Sequence, residues 1–223
     1  MIIRTKSGNY RADNASVLLN YLGLKETEGT QKVNDDVELI ASVPFRLSAD
    51  AETEQGFAWT LSTYDLDRFG ERIDPKGWDF KRYMENPIVE WAHRFDIPAI
   101  GKMESLTIDE TGLHGIVYFN DKSYDFFGWS IGQRVKAGVI RAGSVGFRVL
   151  EIEIPSKADS QDGTSLIFRK QELLEFSICN VPANPFALTK TMEAVNTAEK
   201  ADLSGKNFFD CLINKSQGVN YGE

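Results

Sequence analysis

Cysteine and histidine are the scarcest residues of this chain, two of each among 223. Cys179 and Cys211 form no CxxC pair and accompany no histidine cluster, so neither a disulfide framework nor a structural zinc site is expected. A reducing compartment fits that usage. Positive charge is also in short supply: 25 Lys and Arg against 33 Asp and Glu leave a net charge of −8. A surface of that sign repels phosphate backbones, which argues against a nucleic-acid partner. No apolar run approaches membrane-spanning length, and the opening Met1-Ile-Ile-Arg-Thr-Lys-Ser-Gly-Asn-Tyr10 lacks the apolar core of a signal peptide. The protein is therefore expected to act where it is made, away from membranes. There is no P-loop and no GxGxxG, and no cofactor or metal ion is expected.

What the chain has in quantity is strand pattern. Alternating and β-branched runs predict strands over 37–47, 56–63, 86–93, 100–108, 113–119, 139–154, 165–168 and 172–181, with a hairpin turn at Asp109-Glu-Thr-Gly112. Pro75 is placed to open a short helix through Phe80 and Tyr83. Apolar residues three and four apart, Tyr124, Phe127, Ile131 and Val135, predict the best helix, closed by Lys136 and Gly138. The fold class read from this is mainly β with flanking helices (α+β). Residues 1–36 are polar except for a patch over 15–24 that predicts a short helix capped by Asn14; the rest of that segment reads as a leader, flexible or self-processed. Residues 37–190 read as the one substantial domain, and 191–223 as a polar tail adding little to the core.

The chemistry centres on Ile140-Arg-Ala-Gly-Ser-Val-Gly-Phe147. Ser144 stands between Gly143 and Gly146 inside a buried-strand pattern, and glycines there mark a place where something must come close. Two readings stay open on spacing alone: a small filler at a bulge, or a nucleophile. A serine nucleophile needs a base, and the base needs an orienting partner. Of the two histidines, His93 ends a strand beside Trp91, Arg94 and Asp96, in a mouth-like setting that suits a general base, whereas His114 in the hairpin reads as structural. Glu175, in an otherwise apolar strand and on one face with Leu173, Ser177 and Cys179, leads as the orienting acid; a solvent-facing Glu175 is the plain alternative, and Glu172 and Asp96 are weaker ones. Glu90-x-x-His93 with Asp96 matches no hydrolytic metal motif, and Cys179 reads as an inert buried thiol.

Five blocks in consistent order carry a resemblance. They are Trp59-Thr-Leu-Ser-Thr-x-Asp-x-Asp-Arg-x-Gly-Glu-Arg-Ile-Asp-Pro75, Asn86-Pro-Ile-Val-Glu-Trp-Ala-His93, Pro98-Ala-Ile-Gly101, Gly138-Val-Ile-Arg-Ala-Gly-Ser-Val-Gly-Phe147, and Leu174-Glu-Phe-Ser-Ile-Cys-Asn-Val-Pro-Ala-Asn-Pro185. Together they resemble the prohead proteases of tailed bacteriophages, capsid-maturation serine proteases related to the herpesvirus assemblin. The resemblance implies a compact closed β-barrel and a serine endopeptidase with Ser144 as nucleophile, His93 as base and Glu175 as third member. It further implies the major capsid protein and scaffold protein as partners, self-cleavage, a homodimer, and action in the host cytoplasm inside the assembling procapsid. A non-catalytic assembly module of the same fold and an unrelated serine esterase are the competing readings. The esterase is weakened by the lack of a Gly-x-Ser-x-Gly elbow.

Overall fold

Alternation of apolar and polar residues at period two decides most of the architecture. The structure is a computed structural model describing residues 2–5, 8–33, 38–41, 46–53, 56–67 and 69–180. Its strands are β1 (Ile2–Thr5), β2 (Gly8–Arg11), β3 (Gly29–Lys32), β4 (Glu38–Ala41), β5 (Arg46–Thr53), β6 (Gly56–Ser62) and β7 (Glu71–Ile73). They continue with β8 (Trp78–Asp79), β9 (Ile88–Trp91), β10 (Gly101–Ile108), β11 (Leu113–Phe119), β12 (Ala142–Ile154) and β13 (Leu166–Cys179). Two α-helices, α1 (Ala15–Tyr21) and α2 (Phe126–Lys136), complete the mainly β fold. The strands form one sheet in the order β2-β1-β4-β12-β13-β9-β10-β11-β6-β5, with β3 on β12 and β7 and β8 on β13. Among the described residues this order is an open path with β2 and β5 at its ends.

The axis of the sheet is the long antiparallel pair β12–β13. β12 carries the buried Val145, Phe147, Val149 and Ile152, and β13 answers with Leu166, Phe168, Leu173, Phe176 and Ile178. Phe147 packs edge-on against Trp78 and Phe168, and Phe176 against Trp59. Burying each such ring stabilises the fold by roughly 1.5–3 kcal/mol. Every element that supplies the site is thus fixed to the best-packed part of the molecule.

Several expectations are corrected here. The described residues of the segment 1–36, expected to be flexible, are built into the sheet and the core: β1 pairs with β4, β3 with β12, and Ile3, Leu18, Leu19 and Leu22 are buried. Its polar composition hid the few apolar residues that dock it, although the Asn14 cap is as read, accepting from the Val17 N–H at 3.0 Å. The run 37–47 divides into β4 and β5, and the acidic stretch behind it is the rest of β5, hairpinned to β6. The helix expected from Pro75 is two 3-10 turns, Pro75–Gly77 and Tyr83–Glu85, separated by β8. Gly77 is pressed so close to the Arg169 carbonyl of β13 that a Cβ would not fit, so the chain is held in strand pairing instead. The runs 165–168 and 172–181 are the single strand β13. Val181, the stop at Pro182-Ala-Asn-Pro185, Cys211 and the tail 191–223 lie outside the described residues; the unit holding the described residues spans Met1–Ala187.

Candidate active site

Three neighbouring strands, β12, β13 and β9, bring Ser144, Glu175 and His93 together. On β12–β13, Ser144 lies directly opposite Ser177 and Gly146 opposite Glu175, so all four residues share one face. The next pairing is Phe147 with Leu173, which leaves Leu174 as an extra residue in β13. Such a bulge re-aims the adjacent side chain, here Glu175. Gly146 makes room for that side chain: a Cβ on it would stand 2.6 Å from Glu175 Oε1 and 2.7 Å from its Cγ. Gly143 likewise makes room for the Phe176 ring, 2.6 Å from where its Cβ would lie. The glycines that mark Ser144 in the sequence therefore accommodate chiefly the acid and a core ring.

His93 arrives from the third strand. β9 runs parallel to β13 with Glu90 opposite Ser177 and Trp91 opposite Ile178. Past Trp91 the chain reverses through Ala92 and His93, both left-handed at φ 52° and 58°. That conformation costs on the order of 1 kcal/mol for each non-glycine residue. It is held by the Ala92 N–H donating to the Ile178 carbonyl at 2.8 Å and the His93 N–H donating to Ser177 Oγ at 3.0 Å. The reversal returns the imidazole over the β12–β13 face.

There the ring bridges the other two groups. Ser144 Oγ and His93 Nε2 are 2.8 Å apart, and His93 Nδ1 is hydrogen-bonded to Glu175 Oε1. Glu175 Oε2 accepts from Ser177 Oγ at 2.8 Å, so both carboxylate oxygens are committed. Around this line the surroundings are nearly dry: Ser144 is fully buried, and the Glu175 and His93 side chains are 5% and 15% exposed. A carboxylate on Nδ1 fixes the tautomer with its proton there, leaving Nε2 to accept the serine hydroxyl. Chemically, that arrangement can draw a proton from a hydroxyl as its oxygen attacks a carbonyl.

Other candidates separate from this cluster. Glu172 is paired with Arg148 at 3.0 Å across the strands, and Asp96 with the exposed Arg94 at 2.6 Å. His114 on β11 is bound to Thr60 on the neighbouring β6 and to Asp109 and Thr111 in the β10–β11 turn. Among the described residues no group of three or more His, Cys, Asp or Glu is arranged to hold a metal, and Cys179 is buried. Sequence reasoning placed Ser177 on the Glu175 face but gave it no role; in the structure its Oγ accepts from the His93 N–H and donates to Glu175 Oε2. Its two-residue spacing from Glu175 was the available signal. Two further ionisable groups border the site. Tyr83 donates to the Ile88 carbonyl at 2.8 Å, and burial, then Glu175 and Glu90, push its phenol far up. Glu90 is raised by burial and by the charge of Glu175, against a smaller pull from His93.

No curated protein and no solved structure matches the chain. A family model described as caudovirus prohead serine protease matches residues 44–201, well over half of its 223 positions and all three strands of the cluster. By that match the chain belongs to the prohead serine protease family of tailed phages.

Proposed function

We propose that this chain is a serine endopeptidase of procapsid maturation, acting through Ser144, His93 and Glu175. The observation that carries the reading is the imidazole of His93 lying between Ser144 Oγ and the Glu175 carboxylate. As Ser144 Oγ forms a bond to the carbonyl carbon of a peptide, its proton passes to His93 Nε2; the imidazolium is stabilised by Glu175. The proton then goes to the amide nitrogen as the C–N bond breaks, releasing the amine and leaving an acyl-serine. Water, deprotonated by the same Nε2, attacks that ester, and its proton returns to Ser144 as the acid departs. Ser144 is fully buried in this state, so whatever covers it must move before a polypeptide can reach Oγ.

The proposed substrates are scaffold protein or the scaffold-like segment of the major capsid protein, and then the protease itself, inside the assembling procapsid of the host cell. The closed barrel and the homodimer implied by the resemblance belong to the same proposal. The burial of Ser144 also favours a second reading, a non-catalytic module of this fold that binds capsid or scaffold. Co-expression with the neighbouring capsid and scaffold proteins, followed by intact-mass analysis, decides between them. Truncation at defined sites with the parent and none with Ser144→Ala is the expected result. Identical intact masses for both, in samples where capsids form, would leave only the binding module.

A further inference from the structure

β13 pairs with β8 at Gln171 and Glu172 and with β9 from Phe176 onward, leaving a gap on that side at 173–175. A cavity of about 420 Å³ is lined by Leu173, Leu174 and Glu175 of that stretch, the last being the proposed triad acid. Three of its lining residues are carboxylic, Glu90, Glu172 and Glu175, while Ile88, Leu173 and Phe95 give it apolar wall. Two of the acids are already committed. Glu175 holds His93 and Ser177, and Glu172 holds Arg148, which cancels the charge of one of the two lining arginines.

Glu90 is different. It is 5% exposed, and its Oε2 is enclosed with no hydrogen-bond partner among the described residues. A buried carboxyl oxygen without a partner is costly, and one in the wall of a cavity beside the proposed reaction centre points to a donor that arrives with a ligand. The donor must suit the surroundings. The second lining arginine, Arg82, is on the exposed rim, so the buried end of the cavity is set by Glu90 and Glu175. An acidic side chain reaching that end would meet both, whereas a cation relieves their mutual repulsion and supplies N–H donors to Glu90. The volume has ample room for one long side chain, whose methylenes would lie along Leu173 and Phe95.

We infer that this cavity is the subsite for a lysine or arginine side chain of the substrate polypeptide, with Glu90 as its counter-charge. The inference rests on the endopeptidase reading. Burial and the neighbouring Glu175 raise the pKa of Glu90, and a bound cation opposes that rise.

Two measurements test it separately from the reading beneath it. In the co-expression experiment every Ser144-dependent cut carries Lys or Arg at one fixed position relative to the broken bond. In the second, the full-length Ser144→Ala protein is titrated with Nα-acetyl-lysine methylamide and with its norleucine counterpart, followed by amide NMR shifts. The lysine compound is expected to move resonances at Glu90, Leu173 and Leu174 and to bind about tenfold or more tightly than norleucine, the effect of a charged hydrogen bond. Glu90→Gln, nearly isosteric, is expected to bring that ratio close to one. Equal binding of the two compounds, or an unchanged ratio in Glu90→Gln, overturns the subsite while Ser144-dependent truncation still upholds the protease. Cuts with no basic residue at a fixed position overturn it too, and they need no variant to fold. Absence of any Ser144-dependent truncation sinks the protease, and with it the assignment of the cavity to a substrate side chain.

Discussion

Both histidines of the chain stand between a hydroxyl and a carboxylate. At His114 the hydroxyl is Thr60 Oγ1, 3.0 Å from Nδ1, and the acid is Asp109, 3.0 Å from Nε2. At His93 the nitrogens are used the other way round, with Glu175 on Nδ1 and Ser144 on Nε2. The inventory of groups is nearly the same; the surroundings are not. Asp109 is 60% exposed, and hydrogen bonds from the Thr111 hydroxyl and N–H, with His114 beside it, hold its carboxyl well below the usual range. Glu175 is 5% exposed and shares its oxygens between His93 and a buried serine. A charge pair in water is screened, whereas the same pair among buried strands keeps its field and its geometry. Three side chains in sequence therefore do not make a nucleophile unless the fold also excludes water and fixes the ring.

Removing the reacting groups draws the contrast most sharply. Ser144→Ala and His93→Ala are each expected to lower the rate of scaffold or capsid truncation by about 10⁴- to 10⁶-fold, since groups acting as a unit fail together. Thr60→Ala and His114→Ala should leave that rate within about threefold of the parent, as surface substitutions away from a site do. Comparable losses at both histidines would show that the comparison rests on the wrong feature.

The fixing of the acid can be attacked without touching any member of the triad. In Gly146→Ala the new Cβ falls 2.6 Å from Glu175 Oε1, so the carboxylate must shift. Misplacement by about 1 Å costs about 10²-fold in rate, and a matching fall in kcat with little change in KM is expected. Glu175→Gln keeps the shape and removes the charge that stabilises the imidazolium. A loss of about 10²- to 10⁴-fold, smaller than that for His93→Ala, follows if Glu175 orients rather than reacts. Rates from the same truncation assay, with melting curves to confirm folding, check both.

The residues of the candidate site are more legible in the sequence than the edges of the sheet, and the reason lies in particular residues. Ser144 between two glycines, and Glu175 two positions from Ser177 in an apolar run, are local patterns that burial alone does not explain. The resemblance joined them to His93. The left-handed turn at Ala92 and His93 left no such mark, because neither residue favours that conformation and only the contacts to Ile178 and Ser177 impose it. The docking of β1 and α1 was hidden in the same way. A handful of apolar residues, Ile3, Leu18, Leu19 and Leu22, decides it within a polar segment whose average composition says otherwise. The bulge at Leu174 depends on register, which no short window contains.

The value of partners to a buried acid can also be read far from the site, where only stability is at stake. Glu71 of β7 lies opposite Leu166 on β13; it is 3% exposed, and its Oε2 has no hydrogen-bond partner among the described residues. Burial first, and the nearby Asp67 second, raise its pKa well above the ordinary 4.5. In the unfolded chain the carboxyl titrates near that ordinary value, so below it both states are protonated and Glu71 carries no penalty. As pH climbs from there through the raised native pKa, the unfolded state ionises first and the fold loses stability, until the loss levels off once the native carboxyl has ionised too. Glu71→Gln removes the titration. It is expected to match the parent at acid pH and to exceed it by on the order of 1 kcal/mol at neutral pH, as measured by urea unfolding across the range. A parent that gained on the variant as pH rose would mean that Glu71 has a cationic partner, and that the contrast with Glu175 is one of position rather than of hydrogen bonding.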